Sequence, residues 1–252
     1  MTSIKHYLSR PGIVGWLIIA NVAMWVILRL CIFGGLGGVG MLLELSAQND
    51  ILLERPWTIF TYMWVHYDLV HMACNMVMLY YFGQICVTLG QERYLLVTYL
   101  CGGVLGGVCY TVFASFFPSM VGSGLIGASA AVIAVGVFAA FISPRLQLGV
   151  WLLGEMQLRW IVVGVVGVMC VGALAASVGE LITHLGGVAA GMCMYYMQRF
   201  RSMNRHTSFD RQNASMENLD NILDKVKRSG YSSLNARERK SLFEISNKLN
   251  QR

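Results

Sequence analysis

The chain alternates long apolar stretches with short polar ones, and the length of the apolar stretches decides what they are. Six runs, over residues 13–33, 69–89, 94–117, 125–142, 160–176 and 181–197, are predominantly apolar. Each approaches or reaches the roughly 17–25 residues that a helix needs to cross the hydrocarbon of a bilayer. The pattern predicts an all-α membrane protein, a six-transmembrane-helix bundle. After residue 200 the pattern changes. Leu219, Ile222, Leu223 and Val226 recur at helical spacing, and Gly230 is placed to stop that helix. Asn235 and Glu238 have the spacing of a capping pair, and Leu242, Ile245 and Leu249 mark a second amphipathic helix. We therefore expect a membrane-embedded core over residues 1–200 and a small helical hairpin as a tail over 201–252. The connection over 34–56 holds an apolar patch, 39–45, expected to lie at the outer leaflet as a short amphipathic helix. The glycine run before it, 34–38, lacks the strand–helix context of a phosphate loop.

Composition agrees with the pattern. Apolar residues make up 56% of the chain and charged residues 13%, and the mean hydropathy is +0.58, outside the range of soluble domains. Charge then gives orientation. Lys5 and Arg10 precede the first run, Arg93 lies between the second and third, Arg145 and Arg159 between the fourth and fifth, and Arg199, Arg201 and Arg205 after the sixth. The opposite loops hold only Arg55, so the positive-inside rule puts both termini in the cytoplasm. Arg29, the exception, is near enough to a helix end to snorkel. The first run is too long for a signal-peptide core and lacks a small-residue cleavage site, so it is read as a retained span. The first 198 residues balance their charges, and the formal net charge of +6 belongs to the tail. A basic tail suits anionic lipid or nucleic acid. The simpler reading is a solvated cytoplasmic appendage, and no nucleic-acid partner is expected. Seven cysteines lie in or beside the apolar runs without a Cys-x-x-Cys pair, so they read as small core side chains.

Polar residues inside a span are costly, which makes their positions informative. The second, fourth and sixth runs enter from the same face, and each carries polar residues within its first turns: His71 and Asn75, Ser129, and His184. At 1.5 Å rise per residue all four lie at one depth, roughly 3–10 Å below the outer boundary. They are satisfied if they face one another or a water-filled cavity. His71 and Asn75 are four apart, on one helix face. Eight of the ten residues over 122–131 are Gly, Ala or Ser, and small-xxx-small spacing recurs at Gly102/Gly106, Gly103/Gly107, Gly127/Ala131 and Gly187/Gly191. The glycines of the third run read as helix-packing positions. Ser129 alone would read the same way, but Ser129 and His184 at one depth suggest a nucleophile and its base.

These residues carry a resemblance. Gly127-Ala128-Ser129-Ala130 resembles the Gly-x-Ser-Gly motif of the rhomboid intramembrane serine proteases. His184-Leu185-Gly186-Gly187 with Gly191 resembles their last-helix histidine motif, and His66, His71 and Asn75-Met76 their second-helix segment. The resemblance spans about residues 10–200 and implies an intramembrane serine endopeptidase that cleaves transmembrane segments of membrane proteins. It implies Ser129 as nucleophile and His184 as base, with His71 and Asn75 as oxyanion donors, and neither a metal nor a cofactor. His66 is read as a structural hydrogen-bonding residue and Glu180 as a capping or loop carboxylate. The chain departs from the family pattern at three places. Ala130 adds a methyl group beside the nucleophile and is expected to tighten the substrate pocket. Ile133 replaces a frequent aromatic that stacks on the histidine, and Thr58 follows Trp57 where the family has arginine.

Other function classes are weighed on the same residues. An inactive rhomboid-like binding protein would ordinarily have lost Ser129 or His184. A di-histidine haem protein would need His71 and His184 to face each other across the bundle. His-Glu-x-x-His is absent, as is a pair of intramembrane aspartates, which disfavours zinc and aspartyl proteases. No internal repeat supports a transporter. The expected partners are transmembrane substrates and the lipid bilayer, in a multi-pass cell membrane taken as a bacterial inner membrane. Sequence leaves the oligomeric state and the physiological substrate open.

Overall fold

The computed structural model describes residues 12–122, 124–150, 154–230, 233–235, 238, 239 and 242. It divides into two compact units that meet between Tyr196 and Met197. The first unit is built from helices. Helix α1 is Ile13–Phe33 and a 3-10 segment is Gly37–Leu42; α2 is Asn49–Glu54, α3 is Thr58–Thr61 and α4 is Leu69–Thr88. Then follow α5 (Glu92–Phe116), α6 (Ser129–Ile142), α7 (Leu158–Ala176) and α8 (Val178–Ser229), whose later part belongs to the second unit.

Local chemistry sets the ends of these helices. After α1, Gly35 adopts φ +82°, and the Leu36 amide donates back to the Cys31 carbonyl at 2.8 Å. That left-handed turn satisfies the last carbonyls of the helix and needs a residue without Cβ. The Asp68 carboxylate caps α4 by accepting from the His71 amide at 2.6 Å. Among the described residues four helices, α1, α4, α5 and α7, are long and apolar enough to cross a membrane. The 14-residue α6 is shorter than the run over 125–142 suggests. Its residues from Ser129 to Ala140 are all buried in protein, so most of its length is packed against side chains and not against lipid.

Glycine makes that burial possible. A Cβ on Gly102 would come within 2.4 Å of the Ala134 methyl, and one on Gly106 within 2.7 Å of the Ala130 methyl. A Cβ on Gly187 would meet the Ala130 carbonyl oxygen at 2.4 Å, and one on Gly191 the Ala134 carbonyl oxygen at 2.5 Å. α5 and α8 therefore approach α6 at backbone distance, as small-residue spacing allows. The third-run glycines are packing positions, in agreement with the sequence reading.

Several elements differ from expectation. The apolar patch in the first long connection forms a 3-10 segment, Gly37–Leu42, and a two-residue strand, β1 (Leu45–Ser46). That strand pairs antiparallel with β2 (Gly124–Leu125), tying the connection to the segment that leads into α6. β3 (Gln147–Val150) and β4 (Gly154–Gln157) form a hairpin between α6 and α7 that apolar periodicity alone did not reveal. Arg29 is exposed and donates to the Tyr67 carbonyl in the connection before α4, so its guanidinium has a backbone partner near the helix end. The cysteines are all free, but only Cys86 is buried, while Cys74, Cys101 and Cys193 lie on exposed helix faces. A reading of all seven as core residues is thereby corrected, because exposed apolar faces are ordinary on a membrane helix.

In the second unit, the first tail helix is not a separate element. Residues 198–205 contain no Gly or Pro to end a helix, and α8 continues to Ser229. Gly230, at φ +76°, stops it. Asn235 and Glu238 form the reciprocal cap: the Glu238 carboxylate accepts from the Asn235 amide at 2.7 Å, and Asn235 Oδ1 accepts from the Glu238 amide at 2.8 Å. Lys225 Nζ donates to the same carboxylate at 2.9 Å, and that bond, followed by the Asn235 amide, holds the Glu238 pKa below the usual carboxylate value. The expected second helix over 242–249 lies outside the described residues, except for Leu242, which is helical.

Candidate active site

The site is built at the start of α6. The Gly127 amide donates to the Tyr62 carbonyl at 3.0 Å, and the Ala128 amide donates to His66 Nε2 at 3.2 Å. Burial, followed by the charge of neighbouring His71, pushes the His66 pKa down to about 4, so its ring is neutral and offers a lone pair. His66 thus has the structural role read from sequence: it fixes the turn that presents Ser129. Gly127 takes φ +102°, and a Cβ there would lie 2.8 Å from His71 Cε1. Only glycine allows both this backbone conformation and the close approach of the His71 ring.

Ser129 is the first residue of α6, and its side chain is buried at 8% exposure. Its Oγ lies 2.8 Å from Nε2 of His184, which is 7% exposed. One cavity of about 320 Å³ collects the rest: His71, Cys74, Asn75 and Met78 from α4, Ser129 from α6, Met169, Gly172 and Ala173 from α7, and Glu180 and His184 from α8. All four residues singled out by depth, Ser129, His184, His71 and Asn75, therefore line one space. Asn75 is 2% exposed; its Nδ2 donates to the His71 carbonyl at 3.0 Å. Its Oδ1 and the His184 Nδ1 are buried without a hydrogen-bond partner among the described residues. The first amides of a helix lack intrahelical acceptors and point their positive end outward, so the Ser129 N–H is available to an anion forming at its own side chain.

Ala130 corrects an expectation. It is absent from the cavity lining and 1% exposed, and its methyl group faces Gly106 on α5. One residue along a helix turns the side chain by about 100°, so the extra carbon enters the helix interface and does not tighten the pocket. Ile133 is buried, and the Ser129–His184 contact forms without an aromatic at that position. Thr58 Oγ1 donates to the Arg55 carbonyl at 2.7 Å, a local bond within the first connection. The cavity walls that sequence did not supply follow a helical logic. Cys74 and Met78 lie three residues beyond His71 and Asn75 on the same face of α4, whereas Met169 and Ala173 carry no polar signal at all.

A model of the Rhomboid domain matches residues 53–200, more than half of the chain and all of the cavity. The chain belongs to the rhomboid family. It is accordingly a multi-pass membrane protein, with apolar helices of spanning length around a buried polar site. RHOMBOID-like protein 12, mitochondrial, from Arabidopsis thaliana is 28% identical over 190 residues, covering 62% of this chain and 53% of the relative. The chain thus spans about half the length of the curated relative it matches. Residues 206–248 match a second model, a family of unknown function (DUF6576).

Proposed function

We infer that this rhomboid is an intramembrane serine endopeptidase that cleaves transmembrane segments of other membrane proteins. The observation that carries the reading is the 2.8 Å contact between Ser129 Oγ and His184 Nε2 inside a cavity shared by four helices. A hydroxyl at that distance from a neutral imidazole transfers its proton as Oγ attacks a peptide carbonyl. The carbonyl π electrons move to oxygen, and the resulting oxyanion accepts hydrogen bonds from the Ser129 N–H, His71 and the second N–H of Asn75. His184 then returns its proton to the leaving amine as the C–N bond breaks. Water, deprotonated by the same imidazole, attacks the acyl-Ser129 ester, and its collapse releases the new carboxylate and restores the hydroxyl.

The same reading includes six spans, with α6 and the first part of α8 added to the four long apolar helices. It places both termini in the cytoplasm on the arginine distribution, with residues 1–200 as catalytic core and 201–252 as accessory tail. The bilayer is the reaction medium, and a bacterial inner membrane is the proposed compartment. The name of the Arabidopsis relative places that protein in the mitochondrion.

The test is cleavage of a model transmembrane substrate by purified protein in detergent. Ser129→Ala and His184→Ala should each reduce cleavage by roughly 10³-fold or more while leaving the thermal transition in place. Cleavage by the Ser129→Ala variant at the wild-type rate would overturn the reading. A folded wild type that binds the substrate without cleaving it would identify an inactive rhomboid-like binding protein.

A further inference from the structure

Helices α6, α7 and α8 enclose a second and larger space, of about 660 Å³, at the ends away from the Ser129–His184 pair. Each helix serves the two spaces with different halves. On α6 the site takes Ser129, and the second space takes Val137, Ala140 and Phe141. On α7 the site takes Met169 to Ala173, and the second space runs from Arg159 to Gly167. On α8 Glu180 and His184 face the site, whereas Val188 and Tyr195 face the second space. Val137, Ala140 and Val162 are buried and form its floor, while Phe141, Val163 and Gly167 are exposed, so it is a groove open sideways to the bilayer. A Cβ on Gly167 would meet nothing within 4 Å, so the groove is unfilled there. Its lining is apolar apart from Arg159 and the Tyr195 hydroxyl, and the reaction proposed above uses none of it.

The polar end is doubly basic. The Leu158 amide donates to the Leu146 carbonyl at 2.8 Å and the Arg159 amide to the Pro144 carbonyl at 3.3 Å, so Arg145 is held beside the first turn of α7. Both arginines are exposed, and neither has an ion-pair partner among the described residues. Glu155 sits opposite Gly149 in the β3–β4 ladder, farther along the hairpin from Arg145. The Arg159 guanidinium lies 5.3 Å from the centroid of the exposed Trp160 ring. Arginine and tryptophan together at the end of a spanning helix mark the headgroup level of a bilayer. From that level the groove descends along α7 from Arg159 to Gly167, about 12 Å at 1.5 Å per residue, close to the roughly 15 Å of hydrocarbon in one leaflet. Two cations at headgroup level above an apolar slot one leaflet deep complement an anionic head and a hydrocarbon chain in one molecule.

We propose that this groove binds one anionic phospholipid of the surrounding bilayer, with its phosphate at Arg145 and Arg159 and one acyl chain lying past Val163 and Gly167 between α7 and α8. The lipid belongs to the leaflet opposite the Ser129–His184 site. The arginines supply the charge selectivity and the open position at Gly167 admits the chain, so the two halves of the ligand are tested by different substitutions. The assignment does not depend on the protease reading.

The experiment uses the full-length, delipidated protein in detergent, titrated with phosphatidylglycerol or phosphatidylcholine of identical chains and read by native mass spectrometry. The first bound lipid should favour phosphatidylglycerol by about tenfold, from two cationic contacts at a membrane-surface level. Arg145→Gln with Arg159→Gln should bring that preference to near unity. Gly167→Leu, which fills the slot and leaves the arginines, should weaken binding of both lipids by about fivefold or more. Phosphatidylglycerol with a photoreactive group in its acyl chain, applied to the unaltered protein, should crosslink to α7 between Val162 and Gly167 and to Val188 on α8, a readout that needs no variant to fold. The basic tail is present in every variant, so a phosphatidylglycerol preference that survives in the double glutamine variant belongs to the tail and overturns the proposal. So do crosslinks confined to other helices, or displacement of the lipid by inorganic phosphate alone. A delipidated protein that dimerises, and is made monomeric by Gly167→Leu but not by added lipid, would give the groove to a second copy of the chain and overturn it as well.

Discussion

Asn75 shows how a single residue can be buried and still be available. One of its two N–H groups is committed to the His71 carbonyl at 3.0 Å, while Oδ1 is buried without a partner among the described residues. An amide held this way has one free donor and a fixed orientation, as oxyanion stabilisation requires. Asn75→Ala should therefore lower kcat by roughly 10²-fold with little change in KM, measured on a detergent-solubilised substrate. A raised KM at unchanged kcat would assign Asn75 to packing. The residues of this site differ in how far sequence reveals them. Ser129, His184, His71 and Asn75 were legible because each is polar within an apolar run and all share one depth. Glu180 was not legible as a cavity group, because a carboxylate in the first turn of a helix has an ordinary explanation as a cap. In the structure Ser177 already supplies that cap.

At the scale of elements, the approach of α8 to α6 depends on Gly187. Its nearest neighbours are the Ala130 carbonyl oxygen, 2.4 Å from a Cβ at that position, and the Ala130 Cα, at 2.9 Å. Both are backbone atoms in the residue after Ser129 and have no rotamer by which to move aside. Gly187→Ala should therefore cost about 1–3 kcal/mol of stability, read as a lower Tm, and should slow cleavage by shifting the Ser129–His184 distance. Gly164→Ala is the control: nothing lies within 4 Å of a Cβ there, so the change should not lower Tm and should raise stability by up to about 1 kcal/mol through helix propensity. The boundaries of α1, α4, α5 and α7 were readable to within a few residues, since apolar run length fixes a spanning helix. The start of α6 was not. Residues 125–128 are as apolar as the helix that follows, and the break comes from the left-handed Gly127 and the β1–β2 pairing, neither of which leaves a hydropathy signal. The β3–β4 hairpin escaped for a related reason, because strand pairing is set by a partner segment and not by the apolar runs around it.

At the scale of the whole molecule, charge and chemistry lie in different parts of the chain. The net charge of +6 belongs entirely to residues from Arg199 onward, whereas every cavity residue falls between His71 and His184. The two compact units divide at Tyr196 and Met197, and the two family models meet the chain separately, over 53–200 and 206–248. In the proposed reaction, proton transfer between Ser129 and His184 depends on α4, α6, α7 and α8 around them and on α5 packed against α6, and the small-residue contacts among these helices end at Gly191. Truncation after Arg205 keeps all of those contacts. The truncated protein should retain the thermal transition of the core and cleave a detergent-solubilised substrate at the wild-type rate. Its binding to vesicles containing anionic lipid should weaken, because about 1 kcal/mol of attraction is lost for each removed lysine or arginine that lies near such a surface. A truncated protein that keeps its thermal transition in detergent and loses cleavage would show that the tail takes part in catalysis, and would overturn the division into core and accessory tail.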